Sequence, residues 1–395
     1  MDYIALPKEA AVQNLLERCS FCPGTETVSL ADGLHRTAAE CVCSRNDLPN
    51  MLASRMDGIA VHFRDFQEGR PDTSTWSEGK EFVFCNTGIG IRGDYDTVIR
   101  IEDVVFEKNG ALKLLCVPQE KGELTIPVGA QMREGELLVK QGDLLTPLLL
   151  SRLASGGYNQ IEVLRKPVVA FIPTGNELVP AGMPVPAGKN VDSNSIMAYA
   201  KIVEWGGSPL LYPIQPDNLS NLIHTLQDAL HKADVVIINA GSSKGTEDYT
   251  IRALEAVGTI LSHMITSGPG VHTSCTVAPD GKPIVGIPGP AVGAECTMDW
   301  FVKPLLDRYL GQSTTAVKVR AIYQGSDYAA TGKRFSLIRR AFLTRQPDGV
   351  LFAVPAEPND HYVMDKCNGF IMFPPTGLRR GEEIEAELRY PYRFL

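Results

Sequence analysis

The pattern of apolar and polar positions changes character several times along the chain. From Pro7 to Arg18, Ala10, Val12, Leu15 and Leu16 stand between polar residues, which predicts an amphipathic helix, and a second, short helix is expected from Ser29 to Thr37. Between Asn46 and about Met132 the apolar runs shorten to Ile59–Phe63, Phe82–Phe84, Thr97–Ile101 and Leu112–Leu115, parted by Gly and Pro, the pattern of a small β-rich unit. Helical spacing returns over Leu144–Ala154, stops at Gly156-Gly157, and a strand over Gln160–Leu164 follows. Two solid apolar runs come next, Pro167–Ile172 and Ala233–Asn239, each breaking into a Gly-containing turn. Between them lie a helix entered through Asp192-Ser193-Asn194-Ser195, with Ile196, Ala200 and Val203 at helical spacing, and a helix from Leu219 to His231 with Leu222, Leu226, Ala229 and Leu230 on one face. A helix over Thr250–Val257, strands near Leu261–Ile265, Val271–Val277 and Pro283–Ile287, and a long helix to Leu310 complete this part. Beyond Ser313 the pattern is all strand.

Strands alternating with helices imply a parallel sheet, and all-strand flanks imply separate β units. The expected architecture is therefore a multidomain α/β protein. A discontinuous helical linker domain (1–45 and 133–165) carries an inserted β-rich domain (46–132), and a central parallel-sheet α/β domain (166–312) precedes a C-terminal β-barrel (313–395).

Composition narrows the function. Lys plus Arg at 38 against Asp plus Glu at 46 gives a net charge of −8, and there is no basic block, so neither nucleic acid nor anionic membrane is an expected general partner. The start lacks the pattern of an export signal and no apolar run reaches bilayer length, which makes the cytoplasm the expected location. Nine cysteines are then expected to be reduced. Cys19 and Cys22 form C-x-x-C and Cys41 and Cys43 form C-x-C, a conceivable four-thiolate zinc set, but alternate strand residues point to opposite faces and separate thiols are the plainer reading.

In a parallel sheet, ligands sit outside the carboxyl ends of the strands, and both Gly-containing turns fall there. Gly241-Ser242-Ser243-Lys244-Gly245, opening toward a helix, offers successive backbone N–H groups suited to phosphate oxygens, and Lys244 adds a point charge. Glu177 and Asp248 lie on turns of the same edge and Asp217 on a third, so Mg²⁺ held by Glu177 and Asp248 with phosphate oxygens is chemically reasonable. Taken singly, Glu177 or Asp248 reads more often as a turn or capping carboxylate than as a metal ligand.

Five segments in register resemble the family of molybdopterin molybdenumtransferases, the MoeA proteins and the gephyrin E domain. They are Ser54–Val61, Asn86-Thr87-Gly88 with Asp96–Ile99 and Glu102, Thr174–Leu178, Asp192-Ser193-Asn194, and Gly241–Gly245 with Asp248-Tyr249. The resemblance implies a MogA-like central domain and a homodimer in which the inserted domain of one subunit faces the α/β domain of the other. It implies insertion of molybdate into adenylylated molybdopterin with Mg²⁺ and release of AMP, with a MogA-type adenylyltransferase as a partner. Carried onto this chain, it assigns catalysis to Asp57, Glu177, Asp217 and Asp248, Asp57 acting from the partner subunit. Substrate binding falls to Thr87, Thr174, Gly175, Asn194, Gly241, Ser242, Ser243, Lys244, Gly245 and Arg340. The chain departs from the family where Ser267–His272 stands in place of a K-P-G-K turn, where Gln131 replaces a carboxylate, and where Ile287–Ala291 replaces L-P-G-N-P. Loss of two lysines weakens an anion site unless Lys244, Arg252 or His272 substitutes. A paralogue that binds pterin, nucleotide or another oxyanion such as tungstate without inserting molybdenum, or a non-catalytic dimeric scaffold, is therefore an open alternative.

Overall fold

A computed structural model of the chain describes residues 5–107, 111–239, 249–330, 335–357 and 366–389. The chain forms two compact units, one of residues 25–164 and one of residues 1–24 with 165–395.

In the second of these, helix α1 (Lys8–Arg18) precedes a six-stranded sheet built from β1 (Val168–Pro173), β2 (Ser208–Leu211), β3 (Val235–Asn239), β4 (Thr259–His263), β5 (Ser274–Val277) and β6 (Pro283–Ile287). The strand order is β2-β1-β3-β6-β5-β4, with β2, β1, β3 and β6 parallel and β5 antiparallel to both of its neighbours, β6 and β4. The solid apolar runs have a direct cause. Val169, Phe171, Val235 and Ile237 enter one core while the alternating Ala170, Ile172, Val236 and Ile238 enter the other, so neither face of the sheet is left polar. Helix α3 (Leu219–Lys232), capped by Asn218 Oδ1 accepting from Asn221 N at 3.0 Å, places Leu222, Leu226 and Ala229 in the second core. Helix α1 puts Ala11, Leu15 and Cys19 into the first core, which ties this N-terminal helix to the sheet; the sequence-based division had grouped it with the linker domain.

Helix α2 (Asn194–Glu204) corrects one expectation. Ile196 and Val203, read as its buried face, are 61% and 50% exposed, and Ala198, Lys201 and Ile202 face inward instead. The helix is rotated because Lys201 is drawn inside, pairing with Asp299 at 2.6 Å and Glu295 at 3.6 Å beside the apolar contacts of Ala198 and Ile202. The expected long helix before Leu310 runs as α4 (Ala291–Thr297), one widened turn over Met298–Val302, and α5 (Lys303–Tyr309). Pro304, with no N–H for the carbonyl one turn earlier, accounts for the widening.

Strands β7 (Lys318–Tyr323), β8 (Ser336–Arg345), β9 (Leu351–Pro355), β10 (Gly369–Phe373) and β11 (Glu383–Leu388) form the C-terminal β-barrel in the cyclic order β8-β9-β7-β11-β10-β8. Closure is possible because β8 is long: Leu337–Ala341 pair with β10, and Ala341–Arg345 with β9. Ser267-Gly268 adds in parallel to Ser336-Leu337, joining the α/β part to the barrel.

In the unit 25–164, Thr25–Ser29 pairs antiparallel with Gln160–Leu164, and a helix over Pro147–Ser155, capped by Thr146, supports a core of Val139, Leu145, Leu153 and Val163. The helix expected over Ser29–Thr37 is a single turn, Leu30–Asp32, because His35 takes positive φ and Thr37 and Ala38 pair with Leu144 and Val163 instead. Gly58–Val61 is the centre of a three-stranded antiparallel sheet, flanked by Phe82–Cys85 and Thr97–Arg100. Leu48 N donates to Met132 O at 2.8 Å where the β-rich segment leaves and rejoins the rest of the unit. Cys19 is buried with its thiol donating to Leu16 O, while Cys22, Cys41 and Cys43 are exposed. Among the described residues no group of three or more His, Cys, Asp or Glu is placed to hold a metal ion, so the zinc arrangement is not formed there. No helix among them is long and apolar enough to cross a membrane.

Candidate active site

The carboxyl edge of the parallel sheet gathers several of the expected residues through one hydrogen-bond network. Where β1 ends, Thr174 is buried and its Oγ1 donates to Asn239 O at 3.0 Å, which fixes the first turn against the end of β3. Gly175 N donates to Gln215 O at 3.1 Å. With φ +139° and the Glu177 carboxylate lying over its Cα, this position holds only a glycine without strain. Asn176 and Asp217 then bond reciprocally: Asn176 N donates to Asp217 Oδ2 at 3.2 Å and Asp217 N to Asn176 Oδ1 at 3.4 Å. The loop after β1 and the loop before α3 are thereby locked side by side, with the Glu177 and Asp217 side chains both exposed. Lys189 Nζ donates to Asn176 O at 2.5 Å, bringing a cation to the same loop.

Behind the loops lies a pair of buried amides. Asn194, at the start of α2, donates through Nδ2 to Asn239 Oδ1 at 2.9 Å and to Gly289 O at 2.8 Å. Asn239 in turn donates to Pro288 O at 2.9 Å. The edge is therefore stapled across β3 and β6. Asn194 is 6% exposed, yet among the described residues its Oδ1 has no hydrogen-bond partner. Asp192 caps α2, accepting from Ser195 N at 3.1 Å. Asn239 was missed from sequence, although a lone amide ending the run Val235–Ile238 was a usable signal. Gly241, Ser242, Ser243, Lys244, Gly245 and Asp248 lie outside the described residues.

Asp57 and Thr87 belong to the unit 25–164, and there they meet directly. Asp57 Oδ1 accepts from Thr87 N at 2.7 Å and from Thr87 Oγ1 at 3.0 Å. The backbone N–H first and the hydroxyl second hold this exposed carboxyl below the usual Asp range. The placement is exact because a Cβ at Gly58 would collide with Ile99 O across the sheet. On the other side, Gly88, at φ +76°, donates its N–H to Ser54 O at 2.8 Å.

Arg340, expected at the ligand, is 6% exposed on β8 and paired with Glu295 of α4, with Arg389 on the same carboxylate. No hydrogen bond or ion pair among the described residues joins it to Thr174, Gly175, Asn194 or Asp217.

Residues 6–157 match the family model described as the MoeA N-terminal region, domains I and II, and residues 170–308 match that of a probable molybdopterin binding domain. The chain is 28% identical over 388 residues to a molybdopterin molybdenumtransferase of Bacillus subtilis, covering 92% of this chain and 90% of that protein. A protein of the same description from Haemophilus influenzae is 28% identical over 319 residues, 78% of each chain. In structure, the molybdopterin biosynthesis MoeA protein of Pyrococcus horikosii superposes with a TM-score of 0.80 at 29% identity, covering 98% of this chain and 99% of that one. Two family models in order along the chain, and a solved relative matched end to end, agree with the fold: the chain belongs to the MoeA family.

Proposed function

We propose that this chain is a molybdopterin molybdenumtransferase, which in molybdenum cofactor biosynthesis inserts molybdate into adenylylated molybdopterin and releases AMP. The observation that carries the reading is the convergence of Thr174, Gly175, Asn194 and Asp217 on one carboxyl edge, where Asn194 Oδ1 has no partner among the described residues and can accept from a ligand N–H. Glu177 and Asp217 project from locked neighbouring loops into solvent, a donor set of hard oxygens that suits Mg²⁺, which takes one or two carboxylates and completes its shell with phosphate oxygens and water. Glu177, with Asp248, would hold that ion, and it would supply charge neutralisation at the phosphoanhydride. Thr174 and Gly175 shape the floor against which the substrate lies, and Gly241–Gly245 with Lys244 would receive its phosphate groups.

Asp57, kept ionised by Thr87, is assigned the part of a general base or orienting carboxylate, contributed by the partner subunit of a homodimer. A MogA-type adenylyltransferase would supply the adenylylated pterin, and the cytoplasm is the setting in which both would meet. The test is substitution. Asp57→Ala and Glu177→Ala each lower the rate of AMP release by about tenfold or more while both variants stay folded; the thermal transition stays in place for Glu177→Ala and falls by only a few degrees for Asp57→Ala, which loses its bonds to Thr87. Wild-type rates in both variants would overturn the assignment.

A further inference from the structure

The reading above leaves open how an oxyanion is met by a chain whose Ser267–His272 turn carries no lysine. A cavity of about 280 Å³ opens beside that turn, lined by Gly268, Pro269, Val292, Cys296, Arg340 and Ala356 among others. Its lining is apolar apart from Arg339 and Arg340. Arg340 is the buried one of the two, and among the described residues its Nε has no hydrogen-bond partner although the side chain is almost wholly enclosed. A guanidinium offers five donors in a planar fork, and its natural complement is a tetrahedral or carboxylate oxyanion. Here that complement is supplied from within. Glu295, one turn of α4 away from the cavity-lining Val292 and adjoining Cys296, gives Oε2 to Arg340 and Oε1 to Arg389, with Lys201 Nζ at 3.6 Å.

We infer that Glu295 is an internal anion standing in the place of a substrate oxyanion, and that it sets oxyanion affinity at this cavity by competing for Arg340. The inference rests on the proposal that the chain takes up molybdate or tungstate. It adds a residue that decides how strongly. An oxyanion arriving in the cavity gains Arg340 only as Glu295 gives it up, and Glu295 then keeps Arg389 and Lys201 as its partners. A lysine-bearing turn adds positive charge that an oxyanion can use directly. This chain, lacking those lysines, keeps its arginine neutralised until a better-matched anion arrives.

Oxyanion rescue of the full-length protein tests this. Removing Glu295 leaves Arg340 and Arg389 facing each other without their shared carboxylate, so Glu295→Ala unfolds at a lower temperature than wild type. Addition of molybdate or tungstate at ten times its dissociation constant for the variant then raises the transition by about 2 °C, whereas chloride at equal ionic strength does not. Wild type, binding more weakly, shifts by less than about 1 °C at the same concentration. Equilibrium dialysis with molybdate gives Glu295→Gln at least tenfold tighter binding than wild type, and Glu295→Gln/Arg340→Met loses that gain. Should the alanine variant fail to fold, the isosteric Gln variant carries the comparison alone. Equal molybdate affinity in wild type and Glu295→Gln, or a gain that persists when Arg340 is also removed, would overturn the inference. If wild type releases AMP in an oxyanion-dependent way while Glu295→Gln binds molybdate no more tightly, only the role of Glu295 falls. If binding tightens as expected but AMP release never depends on oxyanion, it is the transferase reading that falls.

Discussion

Asp57 and Thr87 lie thirty positions apart in sequence, and the fold makes them a single unit of chemistry. Because the folded-state pKa of Asp57 is held below its unfolded value, its ionised form favours the folded chain above the unfolded pKa. That contribution is lost as pH falls through the folded pKa. Near neutrality the carboxylate is therefore charged and competent as an acceptor of protons. Thr87→Val keeps the backbone N–H donor and removes the hydroxyl, so the Asp57 carboxyl moves upward toward the ordinary range. Carbon-detected NMR titration of the Asp57 carboxyl reads this directly, and an unchanged midpoint would show that the hydroxyl does not tune it. At this scale the sequence was informative about which residues matter and poor about what they touch. Thr174, Gly175, Asn194 and Asp217 were legible because strand ends and turns are marked by composition. The amide pair Asn194–Asn239 was not, since it joins the start of a helix to the end of a strand forty-five positions away. Arg340 was singled out as a ligand contact, yet it spends its charge on Glu295, a pairing between a helix and a barrel strand that no local pattern announces.

Among the elements, α2 shows what periodicity can and cannot decide. Its spacing indicated a helix correctly, but two stripes compete on it, Ile196 with Val203 and Ala198 with Ile202, and the choice between them is made by Lys201 reaching Asp299. Burial of the aliphatic stem of Lys201 alongside a charge pair outweighs the exposure of Ile196 and Val203. A paired comparison follows from the rotation. Ile202→Ala opens a cavity in the first core and costs about 2–5 kcal/mol, whereas Val203→Ser, on the exposed face, changes stability by less than about 0.5 kcal/mol. Urea denaturation of the two variants checks this, and equal losses would restore the expected face. The parallel strands themselves were the most legible elements, because runs such as Val235–Ile238 are apolar on both faces and end in polar or Gly-containing turns. The widened turn at Met298–Val302 was hidden, although Pro304 marks it in retrospect.

At the scale of the molecule, two units each hold part of the proposed chemistry: the Asp57–Thr87 pair in one, and the sheet edge with Glu177, Asn194 and Asp217 in the other. Order of motifs along the chain was enough to indicate the family, because five short segments in register constrain a fold far more than any one of them. What composition and motif order did not reveal was the pairing of Arg340 and Arg389 with Glu295, which depends on charges that meet only in the folded core. The central claim concerns the reaction, and single-turnover release of AMP from adenylylated molybdopterin with Mg²⁺ tests it most directly, comparing molybdate, tungstate and no oxyanion. The account predicts AMP release that requires an oxyanion and leaves the metal on the dithiolene. A folded protein that releases no AMP with either oxyanion, or releases it equally without one, would contradict it.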